Sequence, residues 1–190
     1  ALLIALAAGA AVGVINGLII TGLNVNAFIT TLGTMTIFRG LVLALSQGSS
    51  KRCVDKAFCS LSLSAVGKVP TMLIGVVVIF ILADFALRNI RGFRQLYFIG
   101  GNPNSAELTG INVKKMRLIM FGFSGFMAAL AGCFSASRLQ GSVPTNNAGT
   151  AMKLMVACVI GGSSFSGGRG SMLGSALGLV FLTILNNGMI

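Results

Sequence analysis

Histidine is missing from this 190-residue chain, and only Asp55, Asp84 and Glu107 carry a carboxylate. General acid–base work needs a group that titrates near neutral pH or two carboxylates held together. Three scattered acids supply neither. Imidazole metal sites are excluded, and the four cysteines show no metal-ligand spacing. Serine is abundant, but the bases that activate a nucleophile are not placed near it. The segment GGSSFSGGRGS (161–171) looks like a phosphate loop at first. It fails the G-x-x-x-x-G-K-[ST] pattern, so it reads as a turn between helices. These residues predict a chain that is not an enzyme, with no catalytic group, no metal, no bound cofactor and no ATP site of its own.

What remains is the chemistry of recognition. Asn24, Asn26, Thr30, Thr31 and Thr34 cluster at the start of one apolar stretch, and Asn186 and Asn187 lie toward the end of another. A path for an uncharged hydroxylated solute should offer such donors and acceptors without fixed charge. Hydrogen bonding to neighbouring helices is the plainer role for the same groups. Arg39 lies deeper in its stretch, where it can snorkel, pair with carbonyls or take part in the path. Asp84, four residues before Arg88, is placed for an intrahelical ion pair.

One long polar island, 88–117, separates the apolar runs. It holds six basic residues (Arg88, Arg91, Arg94, Lys114, Lys115, Arg117) against Glu107. A short helix is marked out at its centre. Asn102 can cap it, Pro103 suits its first position and Gly110 can close it in a left-handed conformation. A rigid capped helix between membrane spans has the character of a docking element.

The elements that position these residues follow from composition. The chain is 55% hydrophobic and 9% charged, with a mean hydropathy of +0.93. Soluble domains carry roughly a quarter charged residues, so this is an integral membrane protein. Its net charge of +11 reflects scarce acids. It is loop charge that sets topology and meets lipid headgroups, not a nucleic-acid surface. The predicted fold is all-α: a polytopic transmembrane helical bundle of about five to six spans, forming a single transmembrane domain over 1–190. Five spans fall at 1–20, 26–45, 70–87, 118–137 and 171–190, with a short apolar piece at 151–160 as a sixth. The loops 21–25, 88–117 and 161–170 then share one side, and 46–69 and 138–153 the other. Their basic residues are nearly balanced, so charge alone leaves orientation open. Both ends stop within apolar runs, which suggests a piece of a longer membrane protein.

Glycines recur at helical spacing. Gly9, Gly13 and Gly17 lie in the first span, Gly170, Gly174 and Gly178 toward the last, and Ala128 and Gly132 in the fourth. Such faces let backbones approach closely, within one subunit or at a dimer seam. The two triplets in oppositely directed spans also hint at an inverted repeat. Cys133 and Cys158 read as small buried hydrophobes. Cys53 and Cys59 share a polar loop, as a disulfide or as free thiols.

Four segments together resemble the ABC-importer permeases for ribose and other sugars and, more distantly, for branched-chain amino acids. They are NAFITTLGTMTIFRGL (26–41), IGGNPNSAELTGINVKKMR (99–117), GGSSFSGGRGS (161–171) and LGSALGLVFLTILNNGM (173–189). The resemblance implies a permease that pairs with a second permease subunit, a homodimer being expected. It also implies cytoplasmic ATPase subunits that use the ATP, a periplasmic solute-binding protein and a bacterial inner-membrane location. It makes 88–117 the cytoplasmic coupling loop, with Gly101, Asn102, Ala106, Gly110 and Ile111 matching the coupling-helix pattern. Glu107 departs from the basic residue usual there, a departure that would bear on partner choice. The other readings are an ion-gradient-driven secondary transporter, which requires an intramembrane acid, a passive channel, and an ABC permease for branched-chain amino acids, nucleosides or sugar-like signalling molecules.

Overall fold

Helices form wherever the apolar runs are long, and the breaks between them carry their own chemistry. The computed structural model describes residues 2–52, 65–66, 69–145, 149–164 and 167–188. Helix α1 (Leu2–Leu23) ends before Asn24, whose φ of 51° is a left-handed value that asparagine tolerates better than most residues. Helix α2 (Ala27–Ser46) is capped by Asn26, whose side chain accepts from the Phe28 N–H at 2.9 Å. Strand β1 (Lys51–Arg52) follows, then β2 (Ala65–Val66) and β3 (Val69–Pro70), and helix α3 (Thr71–Asn89) begins directly after the proline. Next come α4 (Arg91–Gly101), α5 (Pro103–Leu108), α6 (Val113–Arg138), β4 (Gly141–Ser142), α7 (Thr150–Ile160) and α8 (Met172–Gly188). Among the described residues the strands form two-residue ladders, and the architecture is the all-α bundle that the apolar runs predict.

Four helices among the described residues are long and apolar enough to cross a bilayer: α1, α2, α3 and α6. Helix α8 has 17 residues and α7 has 11. At a rise of about 1.5 Å per residue, α7 covers only about half of a hydrocarbon core roughly 30 Å thick. Large apolar side chains along the spans point outward, among them Leu3, Ile29, Leu45 and Ile81. In lipid that is their ordinary environment, because acyl chains are as apolar as leucine. For the same reason the two spanning cysteines are not core residues: Cys133 is half-buried and Cys158 exposed. Cys53 and Cys59 lie outside the described residues.

The chain divides into two compact units, Ala1–Gly75 with Lys114–Asn146 and Val76–Val113 with Asn147–Ile190. In the first unit, α1 packs antiparallel on α6 through glycine. A Cβ at Gly9 would meet the side chain of Ala129, one at Gly13 the Phe121 carbonyl, and one at Gly17 would stand 3.0 Å from Leu118 Cδ1. The receiving face of α6 is Phe121, Gly125 and Ala129. Gly132 faces open space. The β1–β4 ladder joins the segments after α2 and after α6 at the far end of this pair. In the second unit, α7 and α8 form an antiparallel hairpin with backbones in contact. A Cβ at Gly178 would overlap the Ala157 carbonyl, and one at Gly174 the Gly161 carbonyl. Gly170 stands in the loop before α8 rather than in the helix, 3.1 Å from Ser163 Oγ when given a Cβ. The Tyr97 hydroxyl donates to the Gly170 carbonyl at 3.2 Å, so the segments 88–113 and 161–170 meet at one end of this unit.

Candidate coupling element and solute path

Helix α5 has only six residues, far too few to be stable by propagation alone. Its ends compensate. Asn102 is extended, and its Oδ1 accepts from the N–H groups of Asn104 at 3.1 Å and Ser105 at 3.2 Å. Pro103 takes the first position, where a missing N–H costs nothing. At the other end Gly110 has φ +82°, its N–H donates to the Glu107 carbonyl at 2.9 Å, and the Ile111 N–H donates to the Ala106 carbonyl at 3.2 Å. That pair of bonds is a Schellman closure. The Thr109 hydroxyl adds a bond to the Ala106 carbonyl at 2.8 Å.

The coupling residues named from the sequence split into two groups. Ala106 is 3% exposed and is turned inward, so it holds the helix to the chain and is not free for a partner. Gly101, Asn102, Glu107 and Gly110 are exposed, and Ile111 is half-buried. Sequence reasoning missed Leu108, which is 89% exposed at the end of the helix. The signal was available: a leucine at the last turn of a capped helix in a polar island, two positions from the only buried residue of that turn.

The island is also more helical than its charges suggest. Arg91 and Arg94 belong to α4, and Lys114, Lys115 and Arg117 to the first turns of α6. Helix α4 is amphipathic, with Ile99 buried and both arginines exposed. Asp84 pairs with Arg88 at 2.8 Å across one turn of α3. A hollow of about 510 Å³ in the second unit is lined by Asp84, Arg88, Arg94, Tyr97 and Ser171.

The polar candidates for a solute path are divided between the two units. The hydroxyls of Thr30, Thr31 and Thr34 donate to their own helix, to the carbonyls of Asn26 (3.0 Å), Ala27 (2.9 Å) and Thr31 (3.1 Å). Each oxygen keeps lone-pair capacity for an incoming donor. Thr31 and Thr34 line a hollow of about 500 Å³ in the first unit, with Asn16, Phe121 and Ser124. Asn16 Oδ1 is buried there without a hydrogen-bond partner. Asn26 is spent on its cap, and Arg39 is exposed on α2 away from this lining. Asn186 and Asn187 are exposed at the end of α8, in the other unit. Asn16 and Ser124 were not among the predicted path residues. A lone amide in a 22-residue apolar helix is the signal that could have found Asn16.

The family described as branched-chain amino acid transport system / permease component matches residues 1–190. The chain belongs to this permease family. It is 35% identical over 192 residues to the ribose import permease protein of Escherichia coli (strain K12), covering 97% of this chain and 59% of that protein. It is 36% identical to the galactose/methyl galactoside import permease protein of the same strain, with 99% and 58% covered. The autoinducer 2 import system permease protein of Enterobacter sp. (strain 638) is 35% identical, with 96% and 53% covered. The chain thus spans somewhat over half the length of these curated relatives. No solved structure matches. Family membership and four apolar spans together make this a multi-pass membrane protein of a transport system.

Proposed function

We propose that this chain is the membrane-spanning permease subunit of a binding-protein-dependent ABC importer in a bacterial inner membrane, carrying a monosaccharide. A second permease copy completes the path, a periplasmic binding protein delivers the sugar, and cytoplasmic ATPase subunits supply the energy. The chain itself hydrolyses nothing. One observation carries this reading: α5 is a helix closed at both ends outside the spans, and it offers Leu108 and Glu107 outward while Ala106 anchors it. A passive channel has no use for such a handle. An ion-coupled transporter needs an unpaired intramembrane acid, whereas Asp84 is ion-paired with Arg88. The sugar assignment is supported by the named relatives for ribose and galactose, and the hollow between α1, α2 and α6 offers Asn16, Thr31, Thr34 and Ser124 within a mostly apolar lining.

The test is co-purification of the permease with the ATPase encoded beside it, followed by uptake of radiolabelled ribose and galactose in proteoliposomes containing the adjacent binding protein. Uptake should stop when the ATPase loses its catalytic carboxylate. Transport that persists without ATP hydrolysis overturns the reading.

A further inference from the structure

Gly100, in the last turn of α4, lies with its backbone directly on the backbone of the glycine-rich loop. A Cβ built at Gly100 would overlap the Gly168 amide nitrogen. From the other side, a Cβ at Gly167 would stand 3.0 Å from Gly100 Cα, and one at Gly168 would stand 2.8 Å from the Gly101 nitrogen. Gly167 and Gly168 have φ of +86° and +77°, so conformation and space both exclude a side chain. Three residues before Gly100, on the same face of α4, Tyr97 bonds the Gly170 carbonyl. Two contacts therefore tie one helix end to one loop.

Each side of this junction is itself tightly tied. Helices α4 and α5 share a single connecting residue, Asn102, which closes one and caps the other. The loop is held by the Ser164 N–H on the Arg169 carbonyl at 2.9 Å and by the Gly167 N–H on the Ser164 carbonyl at 3.2 Å. Beyond it, Gly161 and Gly178 lock α7 to α8, and the Ser163 and Ser175 hydroxyls lie 3.3 Å apart. Backbone against backbone leaves no rotamer to absorb a displacement, and close-packed contacts transmit strain.

We propose that Gly100, Gly167 and Gly168 are positioning residues of the transport cycle, forming the contact through which movement of α5 reaches the α7–α8 hairpin. This rests on α5 being the ATPase-docking helix. A Cβ at the junction would separate the two parts, so the motor would still turn over while the hairpin no longer follows it.

The experiment uses the permease reconstituted with its ATPase and binding protein, with radiolabelled ribose and galactose as probes. Gly100→Ala and Gly168→Ala should retain bound ATPase and ATP hydrolysis, while sugar carried per ATP falls at least about fivefold. Tyr97→Phe should lower the same ratio about twofold. Gly92→Ala, on the same helix but facing open space, should leave it unchanged. A spin label at Leu177→Cys on α8, in a permease lacking the four native cysteines, should respond to nucleotide and lose that response with Gly100→Ala. An unchanged ratio in both glycine variants overturns the inference while leaving the docking reading intact. If neither glycine variant assembles, Tyr97→Phe with an unchanged ratio and label response overturns it. An unmodified permease that never binds the ATPase removes both.

Discussion

Leu108 exposes most of a leucine side chain on a segment whose neighbours are polar, and that is unfavourable unless a partner covers it. Burying a leucine contributes about 2 kcal/mol, so Leu108→Ala should weaken ATPase binding roughly tenfold or more. Binding of the detergent-solubilised permease to immobilised ATPase would measure it, with equal affinity counting against Leu108 as an anchor. Gly13 makes a different demand. Its missing side chain is what lets α1 sit on the Phe121 carbonyl, so Gly13→Val should force α1 and α6 apart. Overpacking of this kind costs about 1–3 kcal/mol. A lowered thermal midpoint with less inserted protein is the expected outcome.

At the scale of elements, α5 stands on its caps. Replacing a good N-cap by alanine costs about 1 kcal/mol, and a six-residue helix has no length to spare. Asn102→Ala should therefore loosen α5, with faster amide exchange at Asn104 and Ser105 and lower ATP-coupled uptake. Gly110→Pro removes the N–H that bonds the Glu107 carbonyl and forbids the left-handed φ, so it should uncouple uptake from hydrolysis while the spans insert normally. Protection at Asn104 and Ser105 that matches the unmodified protein in Asn102→Ala would remove the cap from the account. Helix α5 was legible in the sequence because its punctuation is local: Asn102, Pro103 and Gly110 each act within a few residues. Helix α4 was not. Its signal was present, since Phe93, Leu96 and Tyr97 recur at helical spacing, but the surrounding arginines and Gly92 make the segment read as a polar island.

For the whole molecule, pairings inside each unit gather the loops into sets. The β1–β4 ladder brings Lys51 to Ser142, and Tyr97 reaches Gly170. One crossing, α3, separates Lys51 from α5 along the chain, so if α5 meets a cytoplasmic motor the Lys51–Ser142 ladder faces the periplasm. An impermeant maleimide should then label Ser142→Cys in cells with an opened outer membrane, in a background lacking the four native cysteines. Asn104→Cys should react only once the inner membrane is also permeabilised. Simultaneous labelling of both would refute this topology.

Hydropathy and the scarcity of charge determined by themselves that the chain lives in a membrane as helices, since a long apolar run has few other stable solutions in lipid. Local capping determined α5. Contacts between residues distant in sequence were decided only by the tertiary structure. Gly9, Gly13 and Gly17 announce a close approach, yet their spacing does not say that Phe121, Gly125 and Ala129 receive them. Thr31 and Thr34 meet Asn16 at one hollow while Arg39 on the same helix does not, because the direction of a side chain depends on which face its neighbours cover. Ala106 and Leu108 are both apolar and two residues apart, and only packing turns one inward and leaves the other exposed.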